Sequence, residues 1–367
     1  MTEWSLAQLI HALSAVASAT ISSINDMLPA AVILRGCTVM VVSLLAVLIG
    51  GPGLIRWLQS RFRERIVSDS STLNQLHASK ANTPTMGGLL IIGAVIISLV
   101  AQMFAVADVS SFALIVLSVC SAAVFLAIGA IDDWQKATGR SKGLTMRQKF
   151  VLQWLAGLAT AYGLSAIRRS LPGGTDSSDI FGSGWLFIPW SAFVIVAASN
   201  AVNLTDGLDG LATGCTIITA LALILILPFV VPADSRILLA PSQIILSALA
   251  GACLGFLCFN RFPAKVFMGD AGSLPIGALL AIPALATRTE FVFAAASLVF
   301  VLETVSVIAQ VTSFRLTGRR VLRCSPLHHH FVFQGIPETR IVRAFWMLAL
   351  VAGMLTGLFA VIDFYGQ

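Results

Sequence analysis

Charge is scarce in this 367-residue chain: 11% of its residues are Asp, Glu, Lys or Arg, whereas 57% are hydrophobic. Soluble domains carry roughly 25% charged residues, so the chain lacks the polar surface to cover itself in water. That excludes a string of soluble domains, and the length divides instead into membrane spans of about 20 residues each. No Cys-x-x-Cys pair occurs among the six cysteines, and all but Cys324 fall in apolar runs. They read as small buried hydrophobes, not as a disulfide framework or a thiolate metal site. Residues Met1 to Ile10 contain Glu3 but neither Lys nor Arg, so the n-region of a signal peptide is missing. Leu6, Leu9, Ile10, Leu13 and Val16 recur there at helical spacing, and residues 1–28 are expected as an interfacial segment. Internal repeats and low-complexity tracts are also absent, so residues 1–367 read as a single membrane domain.

What is present is a series of apolar runs. They predict an all-α, polytopic integral membrane protein of about ten transmembrane helices, near 30–50, 85–105, 112–131, 148–167, 185–200, 211–231, 238–258, 272–287, 291–312 and 342–363. The formal charge of +6 sits in short loops between these runs, which encodes orientation and argues against nucleic-acid binding. Of 23 Lys and Arg, 18 lie in or beside the loops after spans one, three, five, seven and nine. Arg35, Arg168, Arg169, Arg236 and Arg288 fall on or near the other side. The positive-inside rule makes the first set cytoplasmic and both termini periplasmic.

Each cytoplasmic loop carries one polar cluster. In the first, Pro84 favours an extended approach and Gly87-Gly88 allow backbone to come close to a ligand, although a plain loop-to-helix junction fits as well. The second holds Asp132 and Asp133, followed by Lys136, Arg140, Lys142, Arg147 and Lys149. Adjacent helical carboxylates point about 100° apart and so serve different tasks. Acids at a membrane boundary are costly unless solvated, paired or metal-bound, and the basic run suits a phosphate-bearing lipid or nucleotide. In the third, Asp206 and Asp209 share a face if the segment is helical, and Asn, Thr or Asp can cap the helix starting near Leu211. The fourth places Asp270 between glycines ahead of a helix, which suits Mg²⁺ with oxygen ligands and waters. The fifth is His328-His329-His330, which lacks the spacing of a zinc site and suits a diphosphate. Glu303 and Gln310, seven apart inside the ninth span, share one face and serve either function or helix contact. Acids, a cation site and phosphate-binding bases at one surface suit phosphoryl transfer between a soluble nucleotide and a lipid. A transporter would place its polar groups near the midplane on broken helices.

Five stretches run in order: TPTMGG at 83–88, DD at 132–133, NLTDGLDGLA at 203–212, FPAKVFMGD at 262–270 and PLHHHF at 326–331. On these, the chain resembles the phospho-N-acetylmuramoyl-pentapeptide transferases from near Arg35 to the last span. The histidine triplet separates it from other polyprenyl-phosphate sugar-1-phosphate transferases. The resemblance implies a ten-helix homodimer in the bacterial inner membrane, with the active site facing the cytoplasm. It implies that UDP-MurNAc-pentapeptide and undecaprenyl phosphate give lipid I and UMP, with Mg²⁺. It further implies that Asp270 binds the metal, Asp132 deprotonates the lipid phosphate, Asp133 assists nearby, and His329 joins this catalytic set. Lys80, Asn203, Asp206, Gly207, Asp209 and Phe267 would surround the uridine end. Thr85, Asn260, His328, His329 and His330 would lie around the sugar diphosphate, with Lys136 also on substrate. Asn82, Ala271 and Val332 depart from the Gly, Thr and Glu expected at those places, and none is assigned chemistry.

Overall fold

The computed structural model describes residues 30–61, 83–104, 108–138, 143–171 and 186–366. The proposed interfacial segment 1–28 and Lys80 lie outside them. The regular structure of the described residues is helical: α1 Ala30–Arg61, α2 Gly88–Met103, α3 Val109–Ala137, α4 Met146–Arg169, α5 Phe187–Thr205, α6 Leu211–Val230, α7 Leu239–Asn260, α8 Asp270–Ala286, α9 Glu290–Ala296, α10 Leu298–Thr317, α11 Leu327–Val332 and α12 Glu338–Gly366. Among the described residues, eight segments are long and apolar enough to cross a membrane, and α2 and α8 are shorter apolar helices.

The eight long segments and the two short helices match the apolar runs, with instructive differences at the ends. Helix α3 runs to Ala137, past the end of the continuous apolar run at Ile131, and so carries Asp132, Asp133 and Lys136 on helical turns. The run expected as one span at 291–312 is split. Ser297, at φ −98° and ψ 27°, separates the short α9 from α10.

Helix α8 is the centre of the bundle. It packs against α2, α3, α5 and α7, and every residue from Ala271 to Ala286 is buried. Its 17 residues rise about 25 Å, less than the about 30 Å of hydrocarbon. A helix enclosed by protein has no lipid thickness to match, so it can begin below the surface. Around it, α1 covers α7, α12 covers α6, and α4 covers α5. Outer faces such as Leu34, Val41 and Ile49 on α1 and Leu358, Phe359 and Ile362 on α12 stay exposed, as lipid-facing positions do.

Candidate active site

The site gathers at the N-terminus of α8. The last turns of α3 are held by Lys136, whose ammonium lies 2.8 Å from Asp132 Oδ2 four residues earlier. After the turn, the Leu144 N–H donates to Asp132 Oδ1 at 2.6 Å. A capping box of Thr145 and Gln148 then starts α4 and puts Lys149 in its first turn. Lys149 Nζ lies 2.6 Å from Asp270 Oδ2 and 3.7 Å from Asp132 Oδ2, and Lys136 Nζ lies 3.3 Å from Asp270 Oδ2. Both ammonium groups therefore bridge both carboxylates. From the last turn of α5, Asn203 Nδ2 donates to Asp270 Oδ1 at 2.6 Å and to Ser273 Oγ at 2.9 Å.

Asp133, one residue along α3, faces elsewhere. Its two oxygens accept the N–H groups of Asp270 at 3.2 Å and Ala271 at 3.0 Å. The residue before α8 is Gly269, at φ 71°, which has no side chain to cap the helix. Asp133 supplies that cap from another helix, with its negative charge on the positive end of the helix dipole. The acids are almost fully buried: Asp132 is 2% and Asp133 4% exposed. Pairing and capping are what make such burial affordable. Among the described residues no three His, Cys, Asp or Glu side chains cluster as a ready metal cage. Asp132 and Asp270 nevertheless converge on one cation-sized position, that of the Lys136 ammonium, and their oxygens suit Mg²⁺, which completes its shell with phosphate and water.

The TPTMGG stretch pairs with the loop that leads into α8. The Phe267 N–H donates to Pro84 O, Gly87 N–H to Phe267 O and Gly88 N–H to Met268 O, each at 2.8 Å. Gly88 then lies against the backbone of Gly272, leaving no room for a Cβ. The close backbone approach is to the protein's own α8 loop. Thr85 is buried, with its hydroxyl beside Gly269.

The segment 206–210 is a turn between α5 and α6, not a helix, so Asp206 and Asp209 do not share a helical face. Gly207 and Gly210 interrupt the helix, and Gly210 takes φ 77°. Nor does a local Asn, Thr or Asp cap α6. Asn260, at the end of α7, accepts the Gly210 N–H at 3.1 Å and the Thr213 hydroxyl at 2.8 Å, and donates to Val266 O at 3.0 Å. Asp209 Oδ2 accepts the Ala264 N–H at 2.9 Å. Both side chains tie the 261–269 loop to the 206–210 turn.

The histidines occupy α11. His328 is fully buried and its ring edge abuts Gly207. The His329 ring packs against it at a tilt of 53°, with ring centroids 4.2 Å apart. His330 turns outward, accepting the Arg323 N–H at Nδ1 and contacting Gln334.

Residues 113–288 match the model of glycosyl transferase family 4, and residues 80–92 match signature 1 of phospho-N-acetylmuramoyl-pentapeptide-transferase. A phospho-N-acetylmuramoyl-pentapeptide-transferase from Desulforamulus reducens is 42% identical over 336 residues, covering 88% of this chain and 95% of the relative. The chain belongs to this family.

Of the residues that resemblance to the phospho-N-acetylmuramoyl-pentapeptide transferases assigned, Asp132, Lys136, Asn203 and Asp270 meet at one point, and Asp133 holds the backbone of Asp270 beside them. Thr85 and Phe267 sit in the adjoining loop pair, and His328 meets Gly207 behind the 206–210 turn. Asn203 stands against Asp270 itself. Sequence reasoning gave Lys149 only a place in the phosphate-suited basic run and assigned no role to Ser273. A lysine in the first turn of an apolar helix, behind a Thr-x-x-Gln box, was the available signal for Lys149. Ser273, one turn after Asp270, carried none.

Proposed function

We propose that this enzyme transfers phospho-MurNAc-pentapeptide from UDP-MurNAc-pentapeptide to undecaprenyl phosphate, giving lipid I and UMP in peptidoglycan synthesis. Family membership supports the reaction. The single observation that carries the site is the bridging of Asp132 and Asp270 by Lys136 and Lys149 at the start of α8.

In this reading a lipid-phosphate oxygen attacks the sugar-bearing phosphorus, a new P–O–P linkage forms, and the bond to UMP breaks. Asp132 takes the proton of the lipid phosphate, leaving the dianion as the nucleophile. Lys136 and Lys149 hold the phosphates and neutralise charge on the leaving UMP. Asp133 fixes the start of α8 and so the position of Asp270, and Asn203 orients the Asp270 carboxylate. Asp270 would hold Mg²⁺, which polarises phosphoryl oxygens when bound. The bias of basic residues supports a cytoplasm-facing site in the bacterial inner membrane, and the resemblance supports a homodimer.

Purified protein in detergent with both substrates and Mg²⁺ should release UMP and form one lipid-linked product. Chelation should abolish turnover, and restored Mg²⁺ should recover it. Absence of a lipid-linked product refutes the reading. Preference for a UDP-HexNAc without the peptide moves the chain to another sugar-1-phosphate specificity.

A further inference from the structure

Glu303 lies inside α10 and is fully buried, a position where an acid is costly without a partner. Its Oε1 accepts the backbone N–H of His328 at 3.2 Å. Its Oε2 lies 3.2 Å from His328 Nδ1, though out of line for a hydrogen bond. Both side chains are 0% exposed. The far edge of the imidazole, Nε2, has no hydrogen-bond partner among the described residues and is set against Gly207, where any Cβ would overlap it. Seven residues along the same face of α10, Gln310 accepts the N–H groups of Val321 and Leu322 at 3.0 and 2.8 Å and donates to Leu322 O at 3.2 Å. Two polar side chains of one helix thus grip both ends of the segment that leads to α11.

We propose that Glu303 is a positioning residue: it seats His328, and His328 in turn seats Gly207 and the 206–210 turn that carries Asp206 and Asp209. The functional consequence rests on the proposed reaction and on the resemblance, which implies that Asp206, Gly207 and Asp209 surround the uridine end of the nucleotide. His328 is enclosed by protein, with one ring edge toward Glu303 and the other against Gly207. It acts as a wedge between α10 and the turn, and Glu303 sets the depth of the wedge. The acid–lysine cluster is built by α3, α4, α5 and α8, and none of its hydrogen bonds involves Glu303 or His328. Disturbing the wedge should therefore affect nucleotide binding before chemistry.

Glu303→Gln keeps the shape and an oxygen for the His328 N–H while removing the charge, and Gly207→Ala disturbs the same contact from the other side. In either variant the Michaelis constant for the UDP-sugar should rise about 10-fold, the scale of one misplaced hydrogen bond. The constant for the lipid and kcat should change less than about twofold. The double variant should fall short of the product of the single effects, because both act on one contact. Hydrogen exchange gives a readout independent of any substrate. In Glu303→Gln, peptides spanning 203–211 and 321–332 should exchange faster, while peptides spanning 129–137 and 268–274 keep wild-type rates. Unchanged exchange at 203–211 overturns the inference, as does a kcat loss with an unchanged nucleotide constant, or exchange raised across the whole protein. A wild-type enzyme that makes no lipid-linked product refutes the functional reading instead, and leaves the exchange test standing.

Discussion

Replacing Asp133 separates a helix cap from a proton acceptor. Asp133→Ala removes both acceptors from the Asp270 and Ala271 N–H groups, and Gly269 offers no substitute. A hydrogen bond to a charged group is worth about 1.5–3 kcal/mol, and loss of an N-cap costs about 0.5–2 kcal/mol. The two bonds serve one cap and are not additive, so the expected destabilisation is about 2–4 kcal/mol. Asp133→Asn keeps one acceptor oxygen but turns an amide donor toward the second N–H, for a loss of about 1–2 kcal/mol. Asp270 is the first residue of α8, so fraying of that turn moves its carboxylate directly. A displacement of about 1 Å at a reacting centre costs on the order of 100-fold in rate. The assay is thermal unfolding of detergent-purified protein alongside kcat at saturating substrates across a pH series. Asp133→Ala should melt earlier, turn over more slowly, and gain nothing from higher pH. A wild-type melting temperature, or full recovery of rate at high pH, would refute the capping argument.

Three further outcomes are expected. Asp132→Asn should lose most turnover at neutral pH while still binding nucleotide. It should recover part of the loss as pH rises, because a phosphate monoester with a second pKa of about 6 becomes more fully dianionic; a flat pH–rate ratio to wild type would remove the base assignment. Gly88→Val drives a branched side chain into the Gly272 backbone. It should destabilise by at least about 1–3 kcal/mol, and wild-type unfolding would overturn the close α2–α8 crossing. In a cysteine-free background, Ile237→Cys should react with an impermeant thiol reagent on intact cells and Thr138→Cys only after permeabilisation; reaction of both in intact cells would sink the orientation.

Much of the fold was legible because lipid imposes a simple rule on sequence: apolar runs of sufficient length become helices. The rule reports where lipid ends, not where the helix ends. Hence the apolar run marks span three only to residue 131, although α3 continues to Ala137 with Asp132 and Lys136 as an i,i+4 pair. The break at Ser297 carries no proline or glycine and left no local mark. The polar clusters were visible as excess polarity in short loops, and their spacing brought out the acids. Who holds whom was invisible, because the contacts are between distant segments. Asn260 caps a turn 50 residues earlier, Asp133 caps a helix 137 residues later, and Lys149 reaches Asp270 across 121 residues. The glycines of TPTMGG were read correctly as close-approach residues, but the partner was protein rather than ligand.

The three backbone bonds that zip Pro84–Gly88 to Phe267–Met268 make the starts of α2 and α8 count in step. One residue added between Pro84 and Gly88 would slide α2 against α8 by a rung, carrying Thr85 away from Gly269, unless the other strand lengthened too. Lengths here should therefore drift together over evolutionary time or not at all. A graft of either loop into a related transferase should succeed only when both are moved as a matched pair.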